Sequence, residues 1–381
     1  MKHSVFIVFV SVVTILYTLV NYFLFVKGYK LLPDLAVYKY TYSILFIALA
    51  SLFIVNRVLL LTDVSFQPSI VYKLGGIWLA AVLYFLLIAL GCKIISVADY
   101  FLHFLPNLQP YKFKILLSMI ALVSGILIIG YINAKSPQLK TIQINIAKKT
   151  LLKSLKIAMV SDIHFGNIIG PDEIKSMLEK IKNENPDILI IAGDFVDEGV
   201  TPKLMAEIKP LFDSVRPKYG KIAILGNHEY INRIEHTLPI FGELGITLLR
   251  DSVLSVDGLF TVVGRDDYSS KQMYGVDRKT IKDLLKDVDT SRPVILIDHQ
   301  PFALDETAKY PIDLQLSGHT HDGQMFPLNL LTKAIYEVSW GYKKKGNTNF
   351  YVSSGYGTWG PRVRLGNRPE IVIVNATFNV Q

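Results

Sequence analysis

The stretch SGHTHDGQM, residues 317–325, places two histidines, His319 and His321, one residue apart directly behind the apolar run IDLQL. Two imidazoles projecting from one turn have the spacing to hold a metal, provided carboxylates reach them from elsewhere in the chain. Four other apolar runs end in suitable residues. MVSDIHFG delivers Asp162 and His164, IIAGDFVDEG delivers Asp194 and Asp197, AILGNHEY delivers Asn227 and His228, and ILIDHQP delivers His299. Each segment alone has an ordinary structural reading. Gly-Asp is common in turns, Asn227 with Glu229 fits a helix start, and Pro301 ends a strand. Five such segments in succession, each behind an apolar run, argue for a single centre with oxygen and nitrogen ligands.

The elements that must position these residues are short. Strands are expected at 156–161, 187–193, 221–226, 260–264, 293–298, 313–318, 350–354 and 370–378. Most are unbroken apolar runs and not alternations, the pattern of a sheet covered on both faces. Between the first two, GPDEIKSMLEKIKNENP repeats Ile174, Leu178 and Ile181 at helical spacing, with Pro171 in the first turn and Asn185-Pro186 closing it. Strand–helix–strand order predicts a layered α/β domain, in which ligands gather at the C-terminal ends of the strands.

The first part of the chain is different. Residues 1–140 hold 11 Lys/Arg and three acids, Asp34, Asp63 and Asp99, a surplus equal to the whole chain's formal net charge of +8. The remainder is balanced, so the domain bearing the candidate ligands lacks the cationic surface that nucleic-acid binding needs, and no nucleic-acid partner is expected. Lys/Arg-poor apolar runs at 3–26, 40–56 (extending through VLLL), 74–92 and 115–134 are each about the ~20 residues that cross a bilayer as helix. The second is interrupted by Arg57, which near a helix end can reach the interface. Aromatics beside the spans, Tyr17 and Trp78 among them, are candidates for interface positions. The single cysteine, Cys92, makes neither an intramolecular disulfide nor a cysteine metal site. The expected organisation is a region of about four transmembrane helices at 1–135, a linker at 136–154 and a folded domain at 155–381.

The ordered set Asp-x-His, Gly-Asp-x-x-Asp, Gly-Asn-His-Glu, a later strand-end His and Gly-His-x-His resembles the calcineurin-like metallophosphoesterase superfamily, over roughly residues 155–378. SGHTHDGQMFPL and the tail YVSSGYGTWGPRVRLGNRPEIVIV are similar to its membrane-anchored bacterial YkuE-like branch, some members of which are UDP-2,3-diacylglucosamine pyrophosphatases. The resemblance implies a layered β-sandwich flanked by helices and two divalent metal ions, Mn, Fe or Zn by ligand chemistry. It assigns Asp162, His164 and His321 to one metal, Asn227, His299 and His319 to the other, and Asp194 to both. A bridging hydroxide would attack phosphorus in line. His228, left without a metal, would protonate the leaving oxygen or stabilise charge in the transition state, with Asp197 orienting it.

The function implied is a membrane-anchored hydrolase of a phosphoester or pyrophosphate bond, with the bilayer and a phosphorylated, lipid-linked small molecule as partners. The alternatives are a nucleotide or nucleic-acid phosphodiesterase and a non-catalytic membrane sensor on the same fold; the latter predicts eroded ligands, and none is missing. Other residues are ambiguous. Arg362, Arg364 and Arg368 fit either phosphate clamps or surface charges, Arg265, Asp266 and Asp267 end a strand beside the site, and Lys343, Lys344 and Lys345 fit a solvated loop or a lipid-headgroup contact. For sidedness, bases near the span ends are nearly even. Lys148, Lys149, Lys153 and Lys156 tip the count toward a cytoplasmic domain on the plasma (inner) membrane.

Overall fold

Among the described residues four α-helices precede the first strand: α1 (His3–Tyr29), α2 (Ala36–Leu61), α3 (Ser69–Leu102) and α4 (Lys112–Ala134). The computed structural model describes residues 3–61 and 69–380. Lys2 and Asp63 lie outside the described residues, as does the side chain of Arg57. All four helices are long and apolar enough to cross a membrane, as expected from the sequence. Tyr17 and Trp78 are buried inside this helical unit and not placed as interface anchors. Tyr17 donates its hydroxyl hydrogen to Ala50 O (2.8 Å), and Trp78 donates Nε1–H to Asn21 Oδ1 (3.0 Å), so each polar tip has a partner. By contacts the chain divides into two units, residues 1–132 with 360–363, and residues 133–359 with 364–381.

The second unit is built on two six-stranded sheets. The first contains β1 (Gln138–Thr150), β2 (Ser154–Val160), β3 (Ile188–Ala192), β4 (Lys221–Ile224), β5 (Thr247–Leu248) and β12 (Glu370–Val380), in the order β1-β12-β2-β3-β4-β5. The second contains β6 (Ser252–Val256), β7 (Phe260–Gly264), β8 (Val294–Ile297), β9 (Leu314–Ser317), β10 (Gly341–Lys345) and β11 (Thr348–Val352), in the order β10-β11-β9-β8-β7-β6. In each sheet four neighbouring strands are parallel, β2 to β5 in the first and β7, β8, β9 and β11 in the second. Their carboxyl ends therefore lie along one edge of each sheet.

The apolar runs are explained by what each side of a strand faces. Ile157 and Met159 of β2, Ile188 and Ile190 of β3, Ile295 and Ile297 of β8, and Leu314 and Leu316 of β9 share one core between the sheets. The intervening Ala158, Val160, Leu189 and Ile191 are also fully buried, on the opposite face of their strands. Helix α5 (Pro171–Glu184) buries Ile174, Met177, Leu178 and Ile181. Its start is held by Glu173, which accepts the Gly170 N–H at 3.0 Å, and Asn185 ends it in the left-handed region.

All eight expected strands are present. The linker expected at 136–154 is a correction: most of it is β1, parallel to β12 from Gln138↔Glu370 onward. Only Ile144, Ile146 and Thr150 of this strand are buried, so a sheet-edge strand with one wet face reads as polar linker in sequence. Lys148 pairs with Asp313 (2.7 Å) and Lys156 reaches Glu184 O (2.8 Å), so both belong to the folded unit.

Candidate metal centre

The loops leaving β2, β3, β4, β8 and β9 bring Asp162, His164, Asp194, Asn227, His299, His319 and His321 into one region. His164 Nε2 lies 3.1 Å from His321 Nε2, and His321 Nε2 lies 3.5 Å from Asp162 Oδ1. Nearby, His299 Nε2 is 3.1 Å from Asp194 Oδ2, and His319 Nδ1 is 2.9 Å from Asn227 Oδ1. Among the described residues three groups of side chains could each hold an ion: Asp162 with His164 and His321, Asp194 with His299 and His319, and His164 with Asp194 and His228.

The local backbone is bent to aim these groups. Asp162, His164, Asp194, His319 and His321 all have positive φ, between 48° and 74°. A non-glycine residue held there costs on the order of 1–3 kcal/mol, and such strain clusters at functional sites. The bends are fixed by hydrogen bonds to the chain itself. His319 N–H donates to both oxygens of Asp162 (2.9 and 3.1 Å), and His228 N–H donates to Asp194 Oδ1 (2.8 Å). Glu229 is buried and accepts from the backbone N–H of Asp194 (3.1 Å), Val196 (2.8 Å) and Gly226 (2.7 Å), so it ties the β3 loop to the β4 loop. Gly226 is required by space, because a Cβ there would sit 2.2 Å from Asp194 Oδ1 and 2.7 Å from His299 Nε2.

The donor set fits divalent ions. His299 Nδ1 donates to Ala192 O (2.8 Å), which turns Nε2 toward the Asp194 carboxylate. Burial works against the charged ring of His299, but Asp194 outweighs it and raises its pKa well above the usual histidine range. Burial and the neighbouring His164 hold His321 well below that range, in the neutral form that ligates metals. Arg364 Nη2 lies 3.2 Å from His321 Nδ1, and a guanidinium can only donate.

His228 and Asp197 sit beside this cluster. His228 Nδ1 is 3.2 Å from Asp197 Oδ1, and burial of His228 is outweighed by Asp197 and Asp194, which lift its pKa to about 9. Asp197 is buried too, yet the charges of His228 and His164 hold its carboxyl well below the usual range. The Trp359 ring stands edge-on 6.3 Å from the His228 ring and is 56% exposed.

Arg364 is neither a phosphate clamp nor a surface charge. It is fully buried, donating to Gly355 O (3.2 Å), Gly357 O (2.6 Å) and Asn367 Oδ1 (3.1 Å). Asn367 in turn donates to His321 O (2.8 Å) and Asp322 O (3.1 Å). Arg265, Asp266 and Asp267 buttress the neighbourhood: Arg265 pairs with Asp298 (3.1 Å), Asp266 with Arg250 (2.7 Å), and Asp267 accepts from Gln300 (2.9 Å). Glu229 and Asn367 were missed as supporting residues. For Glu229, its position two residues after Asn227 was the available signal; nothing local marked Asn367.

Residues 155–323 match the family described as calcineurin-like phosphoesterase. An uncharacterized metallophosphoesterase of Helicobacter pylori is 35% identical over 63% of this chain, a match that takes in 64% of that protein, less than two thirds of its length. One of Campylobacter jejuni is 30% identical over 97% of this chain and 98% of its own. The metallophosphoesterase YkuE of Bacillus subtilis is 28% identical over 57% of this chain and 77% of its own, in keeping with the branch that the motifs resemble. With a relative similar along its whole length, the chain belongs to the calcineurin-like phosphoesterases, a family of metal-dependent phosphoester hydrolases.

Proposed function

We propose that this chain is a membrane-anchored dimetal phosphoesterase that cleaves a phosphoester or pyrophosphate bond in a lipid-linked substrate such as UDP-2,3-diacylglucosamine. The observation that carries the reading is the convergence of imidazole nitrogens and carboxylates on shared points, above all His164 Nε2 and His321 Nε2 at 3.1 Å. Asp162, His164 and His321 would hold one ion and Asn227, His299 and His319 the other, with Asp194 serving both. Mn, Fe or Zn suits imidazole with carboxylate. Such a pair, when bound, supplies Lewis acidity and a water of lowered pKa.

The remaining work falls to the chain's own groups. His228 has Nδ1 fixed by Asp197, which leaves Nε2 for the leaving-group oxygen. The backbone N–H of His319 and of His228 hold Asp162 and Asp194 in single orientations, so no reorganisation is needed on substrate arrival. Four helices able to span a membrane support a substrate met at the bilayer, the plasma (inner) membrane in this reading. With Lys148 and Lys156 committed to the folded unit, the base count is close to even.

The test is hydrolysis by the detergent-purified full chain, stripped of metal and reloaded with Mn²⁺, on bis-p-nitrophenyl phosphate beside UDP-2,3-diacylglucosamine. Metal-dependent turnover that His228→Ala lowers by about 10²–10⁴ supports the chemistry. Preference for the lipid nucleotide supports the substrate. Two bound ions with no turnover of either would sink the substrate assignment and favour the sensor reading.

A further inference from the structure

The segment leaving the paired histidines presents its apolar side to the outside. The helix Leu328–Ile335 has no buried residue. Leu330, Leu331 and Ile335 are 57%, 60% and 65% exposed, and Phe326, one turn earlier, is 54% exposed. Leu330, Leu331 and Ile335 fall on one side of the helix, and Phe326 lies just before its start. A helix at a water-facing surface ordinarily carries polar groups there, so a contiguous apolar stripe marks a contact surface.

What surrounds the stripe identifies the contact. Trp340 and Tyr342, at the start of β10, are both exposed, and with Lys333, Tyr336 and Lys343 they line one open cleft of about 360 Å³. Lys344 is exposed on the same strand. Leu, Ile and Phe on one face, Trp and Tyr at the margin, and Lys beside them make the composition of a helix lying in the headgroup region of a bilayer. At eight residues it is about 12 Å long, far too short to span. A protein partner would have to arrive by diffusion, whereas a bilayer is always present for a chain carrying four spanning-type helices.

We propose that the helix Leu328–Ile335 and the adjoining β10 dock on the lipid surface. Phe326, Leu330, Leu331 and Ile335 enter the boundary of headgroups and acyl chains, and Lys333 and Lys344 meet anionic headgroups. The docked face adjoins the metal centre: Phe326 is five residues after His321, and the Tyr336 ring stands 6.1 Å from the His319 ring. Resting on the function proposed above, docking would bring a lipid's phosphate to the ligand loops without the lipid leaving its leaflet.

The test uses the full chain with Cys92→Ser and one new cysteine at Leu331 or Ile335, labelled with bimane and reconstituted in phosphatidylcholine–phosphatidylglycerol nanodiscs. Glu207→Cys, on an exposed helix position elsewhere, is the control. Docking predicts that a lipid-borne doxyl quencher acts several-fold more strongly at 331 and 335 than at 207, and that iodide acts several-fold less. Iodide access equal to the control would overturn the proposal, as would shielding from iodide without doxyl quenching, which would mean a protein or a second copy covers the face. In a second arm, the double variant Leu331→Ser/Ile335→Ser should lose several-fold in turnover of vesicle-embedded lipid ester while keeping that of bis-p-nitrophenyl phosphate. Failure of the wild-type chain to hydrolyse either ester would count against the proposed function alone, because quenching still decides the docking.

Discussion

Asp197 Oδ2 lies 3.3 Å from His164 Nδ1, while the other oxygen of the same carboxylate faces His228 Nδ1 at 3.2 Å. One buried anion thus orients both a candidate ligand and the candidate proton donor. Asn232 Nδ2 (3.3 Å) and the Glu198 N–H (2.8 Å) also donate to it. Asp197→Asn keeps the shape but can accept from only one of the two rings. We expect a 10–100-fold loss in metal affinity or activity. Metal titration and steady-state kinetics on one preparation would separate the two effects; unchanged values in both would refute the shared role.

Gly226→Ala tests the space beside Asp194 and His299. Its Cβ would overlap Asp194 Oδ1 and crowd His299 Nε2, so the shared carboxylate must move. Overpacking of this kind costs about 1–3 kcal/mol. The expected signature is a chain that still folds in detergent but binds fewer ions per molecule by elemental analysis. Full occupancy would show that the loop can shift without losing the centre.

Arg364→Lys removes a planar fork that a single ammonium cannot replace. Each charge-assisted bond lost from the Gly355, Gly357 and Asn367 contacts is worth about 1.5–3 kcal/mol. We expect a clear fall in melting temperature, together with weaker metal retention because His321 loses its backing. A surface arginine would show neither, so an unshifted melting curve would contradict the buried assignment.

Metal removal should destabilise the folded unit beyond the loss of catalysis. Nitrogens at 3.1 Å and buried carboxylates are left facing one another without the cations that suit them. Reloading at a hundredfold over the dissociation constant would restore about 2.7 kcal/mol per site. Differential scanning with chelator and then Mn²⁺ reads this directly. A melting point indifferent to metal would argue that the cluster is not a metal centre.

The candidate ligand residues stand out in the sequence because each follows an apolar strand, a contrast of chemistry that survives in one dimension. The sandwich core was legible for the same reason: Ile157, Ile190 and Ile295 sit in runs with no polar side to lose. What failed to show was one-sided or long-range. In β1 only Ile144, Ile146 and Thr150 are buried, so its alternation is diluted by Gln and Lys. Strand β10, GYKKK, hides its pairing with β11 behind three lysines, two of which pair with Glu337. Arg364 and Asn367 carry no local signature of this role, since the His321 they back is 43 and 46 residues away in sequence.

The strand order has a bearing on biogenesis. Ligands from Asp162 to His321 come from loops on both sheets, and β12, which follows all of them in the chain, lies between β1 and β2. A nascent chain that has emerged through Asp194 holds two of the candidate carboxylates and one imidazole but neither the second sheet nor the paired histidines. The props of His321, Arg364 and Asn367, are translated later still. Contacts so distant in sequence form late. Ion loading should therefore follow domain folding and not nucleate it, and an unfinished chain should be unable to sequester metal in the wrong geometry.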